Sequence, residues 1–189
     1  MASFAAVLRK AKADWIVLAG YPWIITAPLL QAFPGRILAL HDADLTLRDD
    51  DGARRYKGLH AVSDALLGGE QETRSSAFVV TEDVGEGPLF LLSGAYRVAP
   101  LAEDARRWGA ADLLTAYAAL HRQWMVRGAW GPMLLRIVEL LAAGDIRIVG
   151  SVAWIDGVPG PCRMGEAPSI CHDRNIDGIP LSCPFISSQ

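Results

Sequence analysis

Cysteine is missing from the first 161 residues: the three in the chain stand at 162, 171 and 183, so no disulfide framework staples its body. A basic excess is missing too. Lys and Arg number 18 against 21 Asp and Glu, a formal net charge of −3, which leaves no clustered positive surface of the kind nucleic acid requires. No apolar run is both long and unbroken. The longest, "WIVLAGYPWIITAPLLQAF" at 15–33, is interrupted by Gly20, Pro22 and Pro28 and reads as strand, turn and short helix rather than a membrane span. "MASFAAVLRKAKAD" keeps its Arg and Lys after the apolar residues, the reverse of a secretory signal. There are no internal repeats, and no Gly-x-Ser-x-Gly, Walker or dinucleotide-binding fingerprint. The expectation is a cytoplasmic protein with neither nucleic acid nor membrane as a partner.

What is present suffices for a sizeable core: 189 residues, 51% hydrophobic, a length that favours one domain. Phe4, Val7, Leu8 and Ala11 form a helical stripe, and "DWIVLAG" is a continuous β-rich run suited to a strand buried on both faces. Residues 26–32 read as a short helix, "RILALH" as the next strand, and "DADLTLRDDDGARRYKG" as a long exposed loop, too charged to be core. "LHAVSDALLGG" reads as a helix ended by Gly68 and Gly69. "SSAFVVTE" and "PLFLLSGAYRVA" follow as strands separated by the turn "DVGEGP". Helices over roughly 110–126 and 131–143 come next, then a hairpin in "DIRIVGSVAWIDG". From 159 onward periodicity is lost. Alternating helices and buried strands predict an α/β fold.

In open α/β sheets ligands sit outside the carboxyl ends of the strands, and His41 ends "RILALH" where an acidic loop begins. Two readings of it are open: a functional imidazole, or one that caps the strand through a backbone hydrogen bond. If the sheet is doubly wound, "DVGEGP" faces the same region.

Three stretches narrow the choice. "ADWIVLAGYPWIITAPLLQAFPGRILALH", "YKGLHAVSDALLGGEQETRSSAFVVTEDVGEGPLFLL" and "GDIRIVGSVAWIDG", in that order and spacing, resemble the folate-dependent formyltransferases, most of all those acting on phosphoribosylglycinamide. The resemblance covers residues 3–158. It implies a formyltransferase-like domain over 1–158, with a mostly parallel, Rossmann-like sheet, a C-terminal helix pair and a hairpin, followed by an irregular tail at 159–189. It also implies truncation at the N-terminus: "MASFAAVLRKAKADW" aligns with the helix before the family's fourth strand, so the Gly-rich, phosphate-cradling turn that opens the family's fold has no counterpart here. A sheet truncated in this way leaves an edge and an apolar face, from which a homo-oligomer is expected.

The activity implied is formyl transfer from 10-formyltetrahydrofolate to an amine acceptor resembling glycinamide ribonucleotide, a step of purine biosynthesis. In the family one strand ends in Asn-x-His followed by Pro-Ser, and an Asp stands just before the Gly-Pro that opens a later strand. The Asn and a charged His stabilise the oxyanion of a tetrahedral intermediate, while the Asp holds the His and assists proton movement. His41 fills the histidine position. The Asn position is Ala39, the Pro-Ser is Asp42-Ala43, and the Asp position falls on Gly85. Asp42, Asp44, Asp83 and Glu86 lie near these loops and read as a solvated acidic rim. Glu86 is one residue from the expected Asp, and that shift of about 3.8 Å exceeds the positioning tolerance of an active site. The active site is therefore expected to be degenerate and its activity reduced or lost. The alternative is a non-catalytic remnant acting as a binding or structural subunit.

For the folate, the resemblance points to Trp23, Ile24, Ile25, Leu30, Val80, Val84 and Gly85, positions that hold a pteridine through backbone groups and apolar side chains. Trp23 either stacks on a flat ring or fills core, the commoner fate of a tryptophan. His60 reads as a structural residue at a helix start. His121 falls where the family has a Glu-His pair, but Leu120 replaces the Glu. Cys162, Cys171, His172 and Cys183 are zinc-ligand types at a spacing that matches no standard site, so no metal is expected.

Overall fold

The computed structural model describes residues 4–165. The chain begins with α1 (Phe4–Lys10), β1 (Ile16–Leu18), α2 (Ala27–Ala32) and β2 (Ile37–His41). Pro28 in the first turn of α2 suits a helix start, where no amide bond is lost. α3 (Ala61–Leu67), β3 (Glu72–Thr73), β4 (Ser76–Val79), β5 (Leu89–Leu92) and β6 (Tyr96–Arg97) follow, then α4 (Pro100–Arg107), α5 (Ala111–Met125), a π-helical turn at Val126–Trp130, and α6 (Gly131–Ala143). β7 (Ile146–Val149), β8 (Val152–Ile155), β9 (Val158–Pro159) and β10 (Cys162–Arg163) complete the described chain.

The main sheet has the order β1-β2-β4-β5-β10. β1 runs parallel to β2 and β10 parallel to β5, while β4 is antiparallel to both of its neighbours. Four of the five strands therefore share one direction, and β4 alone is reversed. Ile37, Leu38, Ala77, Val79, Phe90, Leu91 and Leu92 are buried in it, and Leu38, Ala77, Val79, Phe90 and Leu91 share one core with Met125, Met133, Ile137 and Leu140 of the helices. A three-stranded meander, β7-β8-β9, supplies the hairpin, and its Ala153 and Ile155 join the same core. Among the described residues no helix is long and apolar enough to cross a membrane.

Two expectations are corrected, for β1 and for the tail, while the helix pair stands as α5 and α6, joined through the π-helical turn with Met125, Val126, Trp130 and Gly131 all in right-handed helical geometry. Pro132 cannot donate the amide bond a regular α-helix needs, and the wider π turn precedes it. β1 is only half-buried along its length, since β2 alone pairs with it among the described residues. The irregular tail starts later than 159: β9 pairs with β8, and β10 lies parallel beside β5 with Cys162 buried and the Met164 amide donating to the Leu92 carbonyl at 2.8 Å. Strands of two residues leave no periodicity to read. Residues 166–189, with Cys171, His172 and Cys183, lie outside the described residues.

Candidate active site

His41 closes β2, in register with Leu40↔Ala77 and His41↔Ser76 of β4. Its ring is half-buried, and Nε2 lies 2.7 Å from the Tyr56 carbonyl. A carbonyl only accepts, so Nε2 carries a proton and donates. Tyr56 is buried. Burial and its hydrogen bond to Glu70 Oε1 (2.8 Å) push its phenol up to about 12, so it stays a donor. The strand-capping hydrogen bond is thus present, made to a carbonyl fifteen residues further along the chain.

The loop after His41 is pinned three times. Asp42 is buried and paired with Arg122 of α5. Ser76 Oγ donates to the Ala43 carbonyl (2.6 Å) and accepts from the Leu45 amide (3.0 Å). Asp44 accepts from the Thr46 amide (2.9 Å) and lies 3.5 Å from Arg74 Nε. These acids are not a solvated rim. Ala43, Leu45 and Tyr56 form a second small core with Ala61 and Ala65 of α3, so the expected exposed loop is partly interior.

The turn between β4 and β5 starts elsewhere than expected. Because β4 is reversed, Val80 donates to the Ile37 carbonyl (2.8 Å), four residues, or roughly 13 Å, along β2 from His41. The segment 54–57 spans that interval. Arg54 donates to the carbonyls of Gly85 (2.5 Å) and Gly87 (2.8 Å), and Lys57 Nζ donates to Glu86 Oε1 (2.9 Å). Glu86 also accepts from the Arg54 amide at 3.1 Å. Burial pushes the Glu86 carboxyl up, but the bonds from Lys57 and the Arg54 amide, with the charges of both side chains, outweigh it and hold the carboxyl below its usual value. Glu86 is therefore committed to cations of its own and does not orient His41. Gly85 has φ +74°, and a Cβ there would stand 3.1–3.2 Å from the Lys57 methylenes. The Lys57 stem occupies the space an Asp side chain would use. Asp83 is exposed.

The apolar positions divide. Trp23, Ile24 and Val84 are 74%, 69% and 52% exposed, which overturns core filling as the fate of Trp23. Ile25, Leu30 and Val80 are half-buried. The loop after β1 reaches the His41 end of the sheet through Gly20, where a Cβ would lie 3.7 Å from the Trp130 ring; Trp130 Nε1 donates to Ser75 Oγ (3.3 Å).

Of the other histidines, His60 is exposed and stands at the N-cap of α3 without a side-chain capping bond. His121 is a core residue: its Nε2 lies 2.8 Å from Thr73 Oγ1 and its Nδ1 3.2 Å from the Tyr117 hydroxyl, and burial pushes its pKa down to about 4. Leu120 points to solvent, 65% exposed. Among the described residues no group of His, Cys, Asp or Glu is placed to hold a metal. Arg54, Tyr56, Lys57 and Arg122 were not singled out from sequence. For the first three the only signal was a basic run after an acidic triplet, which more often marks solvated surface; Arg122, within α5, had none.

Residues 2–110 match the family described as Formyl transferase. The phosphoribosylglycinamide formyltransferase of Escherichia coli (strain K12) is 26% identical over 144 residues, covering 76% of this chain and 57% of that protein. The chloroplastic phosphoribosylglycinamide formyltransferase of Arabidopsis thaliana is 35% identical over 92 residues, covering 49% of this chain and 30% of its own. Among solved structures, glycinamide ribonucleotide transformylase 1 from Symbiobacterium toebii superposes with a TM-score of 0.54 at 28% identity, over 81% of this chain and 61% of that one. The chain thus spans less than two thirds of the length of these relatives.

Proposed function

The chain belongs to the formyl transferase family, and on that premise we propose that it takes the formyl group of 10-formyltetrahydrofolate and passes it, slowly, to a small amine acceptor akin to glycinamide ribonucleotide, in the cytoplasm. The amine nitrogen attacks the formyl carbon, the carbonyl electrons move onto oxygen, and the intermediate collapses by breaking the bond to the folate nitrogen. The amine's proton goes to that nitrogen and tetrahydrofolate leaves. His41 is the retained catalytic group. The observation that supports this reading is its geometry: the half-buried ring at the end of β2 is fixed through Nε2–H on the Tyr56 carbonyl, and Nδ1 is the nitrogen this reading turns towards the reacting atoms. Trp23, Ile24, Ile25, Leu30, Val80, Val84 and the Gly85 backbone form the folate-facing surface, and the exposed Trp23 is suited to stacking on a flat ring.

Activity falls short because Ala39 donates nothing to the oxyanion, a loss of roughly 10² to 10³ in rate for one donor, and because Lys57 fills the space beside Gly85. These two features favour one alternative, a non-catalytic remnant that binds folate without turnover. The rate of tetrahydrofolate release separates the readings. Ala39→Asn should raise it, and Ala39→Asn with Gly85→Asp and Lys57→Ala should raise it more than the single changes combined, because groups acting as a unit are non-additive. His41→Ala should abolish the gain. Wild-type turnover that survives His41→Ala would overturn the assignment of His41, and no turnover in any variant that still binds folate would favour the remnant. The half-buried β1, paired only with β2 among the described residues, supports self-association, which light scattering showing a monomer at micromolar concentration would contradict.

A further inference from the structure

Arg54 is among the most deeply buried charges of the described chain, its side chain only 4% exposed. Burial pushes its pKa down, although a guanidinium stays charged in any protein environment. Its position does not serve stability well. Taking a charge out of water costs several kcal/mol, and here the repayment is incomplete: Nε makes no hydrogen bond and lies 3.8 Å from Glu86 Oε2. An apolar side chain would fill the same volume at lower cost. What an apolar side chain cannot do is hold two carbonyl oxygens at a fixed spacing, which a planar fork of donors does. The two carbonyls belong to Gly85 and Gly87, on either side of Glu86.

The other side of this turn is equally confined. A Cβ at Gly87 would stand 1.7 Å from the Val79 carbonyl oxygen, so the turn lies directly on the end of β4, while Arg54 holds it through the Gly85 and Gly87 carbonyls. Two residues along the chain, the Tyr56 carbonyl takes the His41 proton. One short segment therefore touches the turn with Arg54 and Lys57 and the imidazole with Tyr56.

We propose that Arg54 is the positioning residue of this site: by clamping the Gly85 and Gly87 carbonyls it fixes the folate-facing turn at a set distance from His41. This rests on the reading of that turn as the folate-binding surface. Arg54 touches no reacting atom and acts through the turn, so its loss changes where the folate sits more than how strongly the imidazole reacts.

The test uses the whole chain with Arg54→Met and Arg54→Lys, 5-formyltetrahydrofolate as the binding probe, and amide hydrogen exchange at Gly85 to Gly87. In Arg54→Met we expect exchange at these amides to rise at least tenfold, the dissociation constant for the probe to rise at least tenfold, and the thermal midpoint to move by only a few degrees. Arg54→Lys should not restore affinity, because the donors of a single ammonium are not held in a planar fork at the spacing of the two carbonyls. Unchanged exchange at the turn in Arg54→Met overturns the proposal, as does faster exchange with unchanged affinity. A wild-type chain that binds no reduced folate would remove the folate reading, while exchange at the turn would still decide whether Arg54 sets its position.

Discussion

The loop at 42–57 and the segment at 15–33 present their chemistry in opposite places. The loop is heavily charged, yet it buries Leu45, Tyr56 and the Arg54 side chain, locks Asp42 and Asp44 onto Arg122 and Arg74, and holds Glu86 of the following turn with Lys57. The segment is the most apolar of the chain, yet Tyr21, Trp23 and Ile24 face solvent and β1 is half-buried. A charged side chain can be interior when every charge meets a partner from another element, and an apolar one can be exterior when nothing covers it. The first region spends its interactions on internal order; the second leaves surface free for a ligand or a second chain.

Substitutions of similar chemistry on the two sides test this contrast. Leu45→Ala removes a side chain that is 1% exposed and should cost about 4 kcal/mol in urea unfolding, whereas Ile24→Ala should stay within about 0.5 kcal/mol. Equal costs would erase the distinction.

Acid should act next most strongly, through the helix that supports the loop. His121 is adjacent to Arg122, the partner of Asp42, and its folded-state pKa of about 4 lies below the ordinary 6.5. The unfolded chain therefore binds the additional proton between those values. Stability from this group is complete above pH 6.5 and is lost as pH falls towards 4, on the order of 3 kcal/mol in all. His121→Gln should flatten the profile over that window. A wild-type urea midpoint that does not move between pH 6.5 and 4 would remove His121 as the cause.

The smallest effect on stability, and the most informative for function, is at Trp23. Trp23→Ala should leave the unfolding curve within about 0.5 kcal/mol and weaken folate binding several-fold, about 1 kcal/mol for one lost stacking contact. A large loss of stability would mean that the tryptophan is structural after all.

Much of the fold was legible because strands such as Ile37–His41 and helices such as Ala61–Leu67 are long or apolar enough to show their period. The reversal of β4 was not, since a four-residue strand carries no mark of its direction, and that reversal moves the turn at 80–88 towards the Ile37 end of β2. At the site, His41 stood out by its place at a strand end. Arg54 and Lys57 did not, because what distinguishes a buried charge from a solvated one is the partner it meets, and those partners lie about thirty residues away in the turn, as in Lys57 to Glu86; Tyr56 did not because its partners, His41 and Glu70, are likewise distant in the chain.

Gly87 has an evolutionary consequence. With the Val79 oxygen 1.7 Å from the place of any Cβ, no mutation at this codon that adds a side chain is neutral, whatever the chain does with a formyl group. Purifying selection would hold the glycine in an active enzyme and in an inert descendant alike. Retention of this Gly-Pro pair across a lineage therefore dates the persistence of the fold, while position 39, within β2 and away from the turn, is the one whose drift would record when catalysis ceased to matter.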